Sequence, residues 1–284
     1  MYDYDLLVIG TGGGGMAAAI RGAELGARVA IVEAGTIGGT CVNRGCVPSK
    51  TLMRAALVYH QAGHHGFAGV HTRQEGVDWP KLIAQKEALI EGLRQEKYLD
   101  VLAAYDRITL LRGWARLQGE GRVAVSERLY RAQYVVLATG ARPHILPLEG
   151  IETVEVLTST TAMTLPQQPR SLLVIGGRAV ALELGQIFAR LGTRVTLLQR
   201  SPRLLPEHEP VIAEAPGRLP AARRTGGAHR GAPPGHSPGR QRKSGAGRRQ
   251  RPTAAFSCRA GAHGHRAGAQ HPGPGAGDAG HCQA

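Results

Sequence analysis

Residues 5–15, DLLVIGTGGGG, join a short apolar run to a glycine-rich turn that fits the pattern G-x-G-x-x-G. The next apolar run, residues 29–32, ends at Glu33. Strand, turn, helix, strand and acid in this order are typical of a Rossmann unit that binds a dinucleotide. The alternative is a glycine-rich turn without a ligand, which leaves Glu33 unexplained. The sequence therefore predicts an α/β fold that opens with a dinucleotide-binding unit.

Four residues of this unit have expected roles in binding the dinucleotide. Gly10 permits the tight turn, Gly12 lets the backbone approach a pyrophosphate, and Gly15 lets the helix pack close to the strand. The helix begins with free N–H groups and the positive end of its dipole, which attract phosphate. Glu33 is expected to accept hydrogen bonds from the ribose hydroxyls of the adenosine.

Residues 38–50, GGTCVNRGCVPSK, contain a pair of cysteines at the start of a predicted helix. Cys41 and Cys46 lie close together in sequence, and Lys50 follows one helical turn later. A thiol at a helix N-terminus near a lysine is expected to be acidic and reactive. Two such thiols can alternate between dithiol and disulfide. The alternatives are two inert buried thiols or a zinc site, for which no second Cys or His pair lies nearby.

This cysteine motif, placed directly after a Rossmann turn, resembles the redox-active signature of the flavoprotein disulfide reductases. They include dihydrolipoamide dehydrogenase, glutathione reductase and mercuric reductase. The resemblance implies that electrons pass from NADPH to FAD and then to a Cys41–Cys46 disulfide. It places the Cys46 thiolate against the flavin, makes Cys41 the thiol that meets substrate, and puts the charge of Lys50 near the flavin ring. It also implies further contacts with FAD, at Gly39, Thr40, Thr139 and Gly140.

A second strand and turn, residues 171–177 (SLLVIGG), predict a second, incomplete Rossmann-like unit for NADPH. Gly176 occupies the first glycine position, but Arg178 stands at the second and Ala181 at the third. Alanine is tolerated at the third position. Arg178 crowds the approach of a pyrophosphate, although its charge favours phosphate. We expect this unit to end after about two strands and to leave an exposed sheet edge.

The end of the following strand, residues 194–199, predicts the choice of nucleotide. Relatives that prefer NADH place an acid there, whereas this chain has Arg200, with Arg203 nearby. Arginine attracts the 2′-phosphate that distinguishes NADPH, so we expect NADPH as the reductant. The alternative is that both arginines are solvated surface charges.

Three longer stretches resemble mercuric reductases more than the other family members, at residues 81–102, 158–163 and 180–198. In the last stretch, the resemblance implies that Glu183 pairs with Lys50 across the flavin. Hg(II) is a soft cation whose preferred ligands are thiolates. The resemblance thus implies reduction of Hg(II) to Hg(0), with Cys41 and Cys46 as the metal's ligands. The alternative is a reductase of the dihydrolipoamide or glutathione type that takes a small disulfide.

The resemblance covers the chain up to about residue 215 and suggests three parts. Residues 1–148 are the first segment of an FAD-binding domain, and residues 149–215 begin an NADPH-binding domain. Residues 216–284 have eleven arginines and one lysine against a single acid, and Gly and Pro make up 23 of these 69 residues. Because large apolar residues are almost missing from it, this tail is predicted to be disordered.

The tail has three interpretations. It is a basic nucleic-acid-binding tail, a flexible linker, or the product of out-of-frame translation. Its enriched residue types have GC-rich codons, so we favour the frameshift as a hypothesis. RNA-binding segments usually interleave aromatic residues, and Phe256 is the tail's single aromatic residue. Nucleic acid is therefore not the expected partner, and an FAD-domain remnant with a nucleic-acid-binding tail is the alternative from another functional class.

The remaining features concern location and assembly. The sequence starts without a secretory signal, and it lacks an apolar run long enough to span a membrane. We therefore expect a cytoplasmic protein without a membrane partner. The resemblance implies a homodimer for the full-length family, but its dimerisation domain, second FAD segment and C-terminal cysteine pair are missing here. We expect this chain to fold poorly and to be inactive as a reductase.

Overall fold

The computed structural model describes residues 1–214 and the short strand 255–257. The first nucleotide-binding unit is built on a six-stranded sheet. In chain order its strands are β1 (Tyr4–Ile9), β2 (Val29–Glu33), β3 (Ile108–Arg112), β4 (Ala115–Leu117), β5 (Arg122–Val125) and β6 (Arg128–Leu137). They lie in the order β3-β2-β1-β6-β5-β4, parallel from β3 to β6 and antiparallel from β6 to β4.

The helices of this unit follow the predicted turns. They are α1 (Gly13–Glu24), α2 (Gly39–Arg44), α3 (Cys46–Gln61), α4 (Trp79–Arg94) and α5 (Asp100–Ala103). A π-helical turn, Gln95–Leu99, joins α4 to α5. Asp78 caps α4, because its carboxylate accepts a hydrogen bond from the Lys81 N–H at 3.1 Å. The helix α1 buries Met16, Ala19 and Ala23 against the parallel strands.

The second unit has a four-stranded parallel sheet with the order β7-β10-β8-β9. Its strands are β7 (Val156–Leu157), β8 (Ser171–Ile175), β9 (Arg194–Leu198) and β10 (Ala255–Ser257), and its helices are α6 (Ser159–Ala162), α7 (Ala179–Arg190) and α8 (Pro210–Glu214). A short 3₁₀ turn, Ile151–Thr153, precedes β7. The predicted α/β fold class, with two Rossmann-like units, is therefore confirmed.

The expectation that this second sheet would stop at two strands is wrong. The strand β10, which comes from the basic tail, pairs with β8 on the side away from β9 and also with β7. Backbone N–H and C=O groups of a buried strand need partners, and β10 supplies them for β8. The other tail residues, including Cys258 and Cys282, lie outside the described residues, so the tail's predicted disorder and out-of-frame origin stay predictions.

The two units share one apolar core. Leu52 of α3 and Trp79 of α4 pack in the same cluster as Leu172 of β8 and Phe188 of α7. The rings of Trp79 and Phe188 have centroids 5.5 Å apart. This packing fixes α3 of the first unit against α7 of the second. Within the part of the chain that the structure describes, none of the helices has the length and apolar character needed to cross a membrane.

Replacing Phe188 by alanine tests the importance of this shared core. The side chain is fully buried, so the change leaves a cavity and should lower the free energy of unfolding by about 3–5 kcal/mol. Urea unfolding followed by far-UV circular dichroism measures the loss. The matched change Phe67→Ala, at a side chain that is 74% exposed, should cost less than about 0.5 kcal/mol. Equal losses in the two variants would contradict the shared core.

Candidate redox site

The turn between β1 and α1 has two glycines that the protein itself requires. Gly10 has a φ of +106°, and a Cβ at this position would collide with the carbonyl of Ala138. A Cβ at Gly15 would collide with the carbonyl of Gly10. These two glycines therefore allow the tight turn and the close packing of α1 that the motif predicts.

The middle of the same turn faces open space. A Cβ on Gly12 would meet only the Cα of Gly39, at 3.8 Å, and nothing lies within 4 Å of a Cβ on Gly13 or Gly14. Packing within the described residues therefore does not explain glycine at these three positions. A ligand that approaches the backbone closely does explain it, because the first N–H groups of α1 point outward there. The turn fits the pyrophosphate of a dinucleotide such as FAD.

The carboxylate of Glu33 is buried at the end of β2 and organises the loops around it. It accepts hydrogen bonds from the N–H and the hydroxyl of Thr11 and, at 2.8 Å, from the Gly35 N–H. The Thr11 hydroxyl in turn accepts from the Gly38 N–H at 3.1 Å. A carboxylate has about four acceptor positions, so Glu33 retains capacity for a ribose hydroxyl.

The other residues predicted to contact FAD lie around this turn. Gly39, at φ +62°, backs onto Gly12 so closely that a Cβ would collide with it. Thr139 lines a small cavity together with Gly10 and Glu33. Gly140 follows with a φ of +73° and open space on its Cβ side, and Thr40 packs against Gly45. The structure thus gathers the glycine turn, Glu33 and Thr139 at one edge of the sheet.

Cys41 and Cys46 are both free and exposed. Cys41 lies in α2, Cys46 is the first residue of α3, and Gly45 connects the two helices. The pKa of the Cys41 thiol is raised, chiefly because its side chain hydrogen-bonds with that of Cys46, and burial adds to the increase. The expectation of an acidic thiol is therefore wrong for Cys41 in the dithiol state, since the neighbouring thiol stabilises its protonated form.

Lys50 lies one turn after Cys46 on α3, and its Nζ is 2.6 Å from Glu183 Oε1 on α7. The ion pair expected between these residues is thus present, and it joins the two units beside the cysteines. The Lys50 side chain is 61% exposed, so the pair adds at most about 1 kcal/mol to stability. Its importance is the position of a positive charge near the thiols.

Tyr98 is a residue near the cysteines that the sequence analysis did not single out, because residues 81–102 were compared with relatives only as a whole stretch. It lies in the π-helical turn, and its ring approaches Gly38. Burial first, and then the charges of Cys41 and Cys46, raise the pKa of Tyr98. The ring therefore lies beside the thiols. Such π-helical turns are frequent at functional sites, but the sequence pattern alone does not reveal them.

The glycine turn between β8 and α7 is more crowded than the turn between β1 and α1. A Cβ on Gly177 would meet Leu204 at 2.8 Å and Gln199 at 3.0 Å. Arg178, at the start of α7, forms an ion pair with Glu207. Ala181 is fully buried in α7, and Gly176 adopts a φ of +119°. The Arg178 guanidinium is therefore already engaged with a carboxylate.

The two arginines after β9 differ in their surroundings. Arg200 is exposed. Arg203 donates hydrogen bonds to the carbonyls of Pro206, at 2.8 Å, and His208, at 3.3 Å. Arg203 thus holds its own loop together, and Arg200 is the better candidate for a phosphate contact.

A cleft of about 970 Å³ opens next to Cys46 and Lys50, between α3 and α4. Most of its lining is apolar, with side chains such as Val47, Leu82 and Leu89. Its size is that of a typical cofactor site. Among the residues that the structure describes, no group of three or more Cys, His, Asp or Glu is arranged to hold a metal ion.

Two nucleotide-binding turns and an exposed dithiol beside a Lys–Glu pair define a nucleotide-dependent disulfide oxidoreductase. The family model for pyridine nucleotide-disulphide oxidoreductases matches residues 4–218, and the chain belongs to this family. Family membership and similarity to flavoproteins support FAD as a cofactor.

Curated relatives agree with the predicted resemblance. A mercuric reductase from Staphylococcus aureus is 45% identical over 213 residues, which are 75% of this chain and 39% of the relative. A dihydrolipoyl dehydrogenase from Thermus scotoductus is 45% identical over 209 residues, or 72% and 44% of the two chains. The resemblance to mercuric reductases is thus confirmed. The chain spans about two fifths of the length of these relatives.

Solved structures also match. The HOCl-induced flavoprotein disulfide reductase RclA from Escherichia coli is 28% identical, with a TM-score of 0.66 over 75% of this chain and 46% of that chain. The Cu(II) complex of RclA matches with 29% identity and a TM-score of 0.64, over 76% and 46% of the two chains.

The raised pKa of Cys41 predicts how its alkylation depends on pH. Because the thiolate reacts, Cys41 should be alkylated with a midpoint above the ordinary thiol pKa, and Cys46→Ala should move this midpoint to lower pH. Iodoacetamide labelling of the tryptic peptide 29–44, measured by mass spectrometry across pH, follows Cys41 alone. Cys46→Ser keeps a hydrogen-bonding group and should shift the midpoint less. An unchanged midpoint in Cys46→Ala would refute the assigned cause.

Proposed function

We propose that this chain carries the redox centre of an NADPH-dependent flavoprotein that reduces Hg(II) to Hg(0). The observation that carries the proposal is the exposed pair of free thiols, Cys41 and Cys46, in the loop that packs against an open dinucleotide turn. Soft thiolates are the preferred ligands of a soft cation. The mercuric reductases among the relatives support the choice of substrate. A cytoplasmic location, and a homodimer for a protein of full family length, belong to the same proposal.

The dinucleotide turn would hold FAD, which supplies two-electron transfer between a nicotinamide and the cysteine pair. Gly12 and the first N–H groups of α1 would bind the pyrophosphate, and Glu33 would accept from the ribose. The remaining contacts would come from Gly10, Gly15, Gly39, Thr40, Thr139 and Gly140. The proposal rests on the open face of Gly12 and on the spare acceptor capacity of Glu33.

The second unit would hold NADPH through Gly176, Arg178, Ala181 and Arg200. Arg200 is exposed at the end of β9, where a positive charge attracts a 2′-phosphate. Arg178 would have to share or release Glu207 before it could contact a phosphate. Arg200 therefore carries the preference for NADPH over NADH in this proposal.

The chemistry of the thiols follows from their positions. Hg(II) bound by both side chains displaces one proton from Cys41 and one from Cys46, and the two thiolates then hold the metal. Cys46, at the start of α3, would be the thiolate next to the flavin, and Cys41 would meet the incoming substrate. Lys50, held by Glu183, would place its positive charge beside them. Reduction of the bound Hg(II) consumes two electrons and leaves both thiolates unchanged.

A second candidate is a dihydrolipoyl-type disulfide reductase, which the Thermus relative supports. In that reaction the Cys41 thiolate would attack a substrate disulfide. The raised pKa of Cys41 lowers the thiolate fraction available for attack at neutral pH, and this favours the metal substrate.

Binding of Hg(II) by the purified, reduced chain tests the proposed substrate. We expect one Hg(II) per chain to stay bound through gel filtration in excess glutathione, as measured by elemental mass spectrometry. Cys41→Ser and Cys46→Ser should each lose it, because a single thiolate cannot compete with glutathione. The control Cys258→Ser/Cys282→Ser, which changes the other two cysteines of the chain, should bind as the unchanged chain does. Retention by Cys41→Ser would contradict the proposal.

Gly12→Ala tests the proposed FAD site without disturbing the fold. The added Cβ meets only Gly39 Cα, at 3.8 Å, and Gly12 has an ordinary φ of −67°, so the urea midpoint should not change. The same methyl group would occupy the approach of the pyrophosphate and should weaken FAD binding at least about tenfold. Titration followed by flavin fluorescence measures the affinity. Gly66→Ala, in an open loop, is the control. Equal FAD affinities for the unchanged chain and both variants would contradict the assignment of this turn as the FAD site.

A further inference from the structure

Helix α2, which carries Cys41, is a short element with weak local support. It has six residues, it lacks a side-chain cap at its N-terminus, and Val42 is its one buried residue. Gly38 precedes it with a φ of +105°, Gly39 opens it with a φ of +62°, and Gly45 follows it. Helices this short are not stable on their own. Contacts from outside the helix must therefore hold Cys41 in place.

Asn43 supplies several of these contacts. Its side-chain amide N–H groups donate to the carbonyls of Ile37, at 2.8 Å, and Gly39, at 2.9 Å. These two bonds tie the end of α2 to its first residue and to the loop that precedes it. The remaining polar atom of the side chain, Oδ1, faces away from this loop.

Arg94 completes the network from a distant part of the chain. Its Nε donates to Asn43 Oδ1 at 3.0 Å, across 51 positions in sequence. Arg94 is the last residue of α4, it is largely buried, and its guanidinium also pairs with Glu91. The bond to Asn43 is therefore a charge-assisted hydrogen bond from the long helix α4 to the short helix α2, which has weak local support.

We propose that Asn43 and Arg94 are positioning residues for the redox reaction, because their hydrogen bond holds α2 where the Cys41 thiol contacts the Cys46 thiol. This inference rests on the proposed function, in which the two thiols cycle together. Neither side chain touches the reacting atoms. Their effect would be to raise the effective concentration of Cys41 at Cys46 and so to stabilise the disulfide relative to the dithiol.

The equilibrium with dithiothreitol measures this effect directly. The two thiols react with the reagent's cyclic disulfide to give a Cys41–Cys46 bond and reduced dithiothreitol. Two electrons and two protons pass to the reagent's sulfur atoms. Differential alkylation then reports each cysteine separately, because trypsin places Cys41 in the peptide 29–44 and Cys46 in the peptide 45–50. Cys258 and Cys282 fall in other tryptic peptides, so their alkylation is measured separately.

Arg94→Met removes the donor and keeps most of the side chain's volume. We expect the equilibrium constant for disulfide formation to fall about tenfold, which makes the potential about 30 mV less negative. Arg94→Lys restores a charged donor and should recover part of the loss. Glu91→Gln removes the other partner of Arg94 and leaves Asn43 intact, so its potential should match that of the unchanged chain.

Asn43→Asp separates the bond from Arg94 to Oδ1 from the two bonds that the Asn43 amide donates. It keeps an acceptor for Arg94, but it loses both amide donors and places carboxylate oxygens near the carbonyls of Ile37 and Gly39. We expect its equilibrium constant to fall more than that of Arg94→Met. Far-UV circular dichroism and the urea midpoint show whether each variant is folded, and a potential is compared only between folded chains.

The outcomes separate this inference from the proposed function. If the unchanged chain never forms the Cys41–Cys46 disulfide, the cycling of the thiols is refuted and the positioning role fails with it. If the unchanged chain forms the disulfide, and both Arg94→Met and Asn43→Asp have the same potential as the unchanged chain, only the positioning role is overturned. A lower equilibrium constant for disulfide formation in Arg94→Met, with partial recovery in Arg94→Lys, supports the positioning role.

Discussion

The buried carboxylate of Glu33 is the interaction on which the rest of the site depends. It binds the Thr11 N–H and hydroxyl after β1 and the Gly35 N–H after β2, while the Thr11 hydroxyl accepts from Gly38 at the start of the redox loop. One carboxylate thus fixes both the turn that would receive a pyrophosphate and the loop that leads to Cys41. The close approach of Gly39 to Gly12 follows from this arrangement, since the two loops share the same anchor.

The long helix from α4 through α5 provides a second constraint, because its two ends contact different parts of the molecule. Near its start, Trp79 Nε1 donates to the Leu165 carbonyl, and the buried Lys86 Nζ donates to the Met163 carbonyl, each at 2.8 Å. These bonds hold the segment that leads into β8. Near its end, Arg94 and Tyr98 lie against the redox loop. The Lys50–Glu183 pair can form only because this packing fixes α3 beside α7.

Local patterns were sufficient to predict some elements and not others. The two glycine turns and the short apolar strands that lead into them could be predicted because each depends on neighbouring residues. The pairing of β10 with β8, the bond between Arg94 and Asn43, and the position of Tyr98 could not, since they join residues far apart in sequence. The π-helical turn changes the helical register by one residue, and spacing rules for α-helices do not detect it. The sequence therefore located the two glycine turns and the cysteine loop, but not the distant contacts that support them, and the roles of these residues in binding a cofactor stay predictions.

The cysteine pair itself bears on the choice between a metal and a disulfide substrate. Attack on a disulfide needs a thiolate before the reaction begins, and the hydrogen bond that the Cys41 S–H donates to the Cys46 sulfur works against this by stabilising the protonated Cys41. A soft dication imposes no such requirement, because it replaces the protons of both thiols as it binds and its affinity for two sulfur atoms drives their release. Cys41 and Cys46 are both free and exposed, so a single ion can approach both thiols. Under the proposed function, the pairing that lowers the nucleophilicity of Cys41 leaves both thiols available to chelate Hg(II).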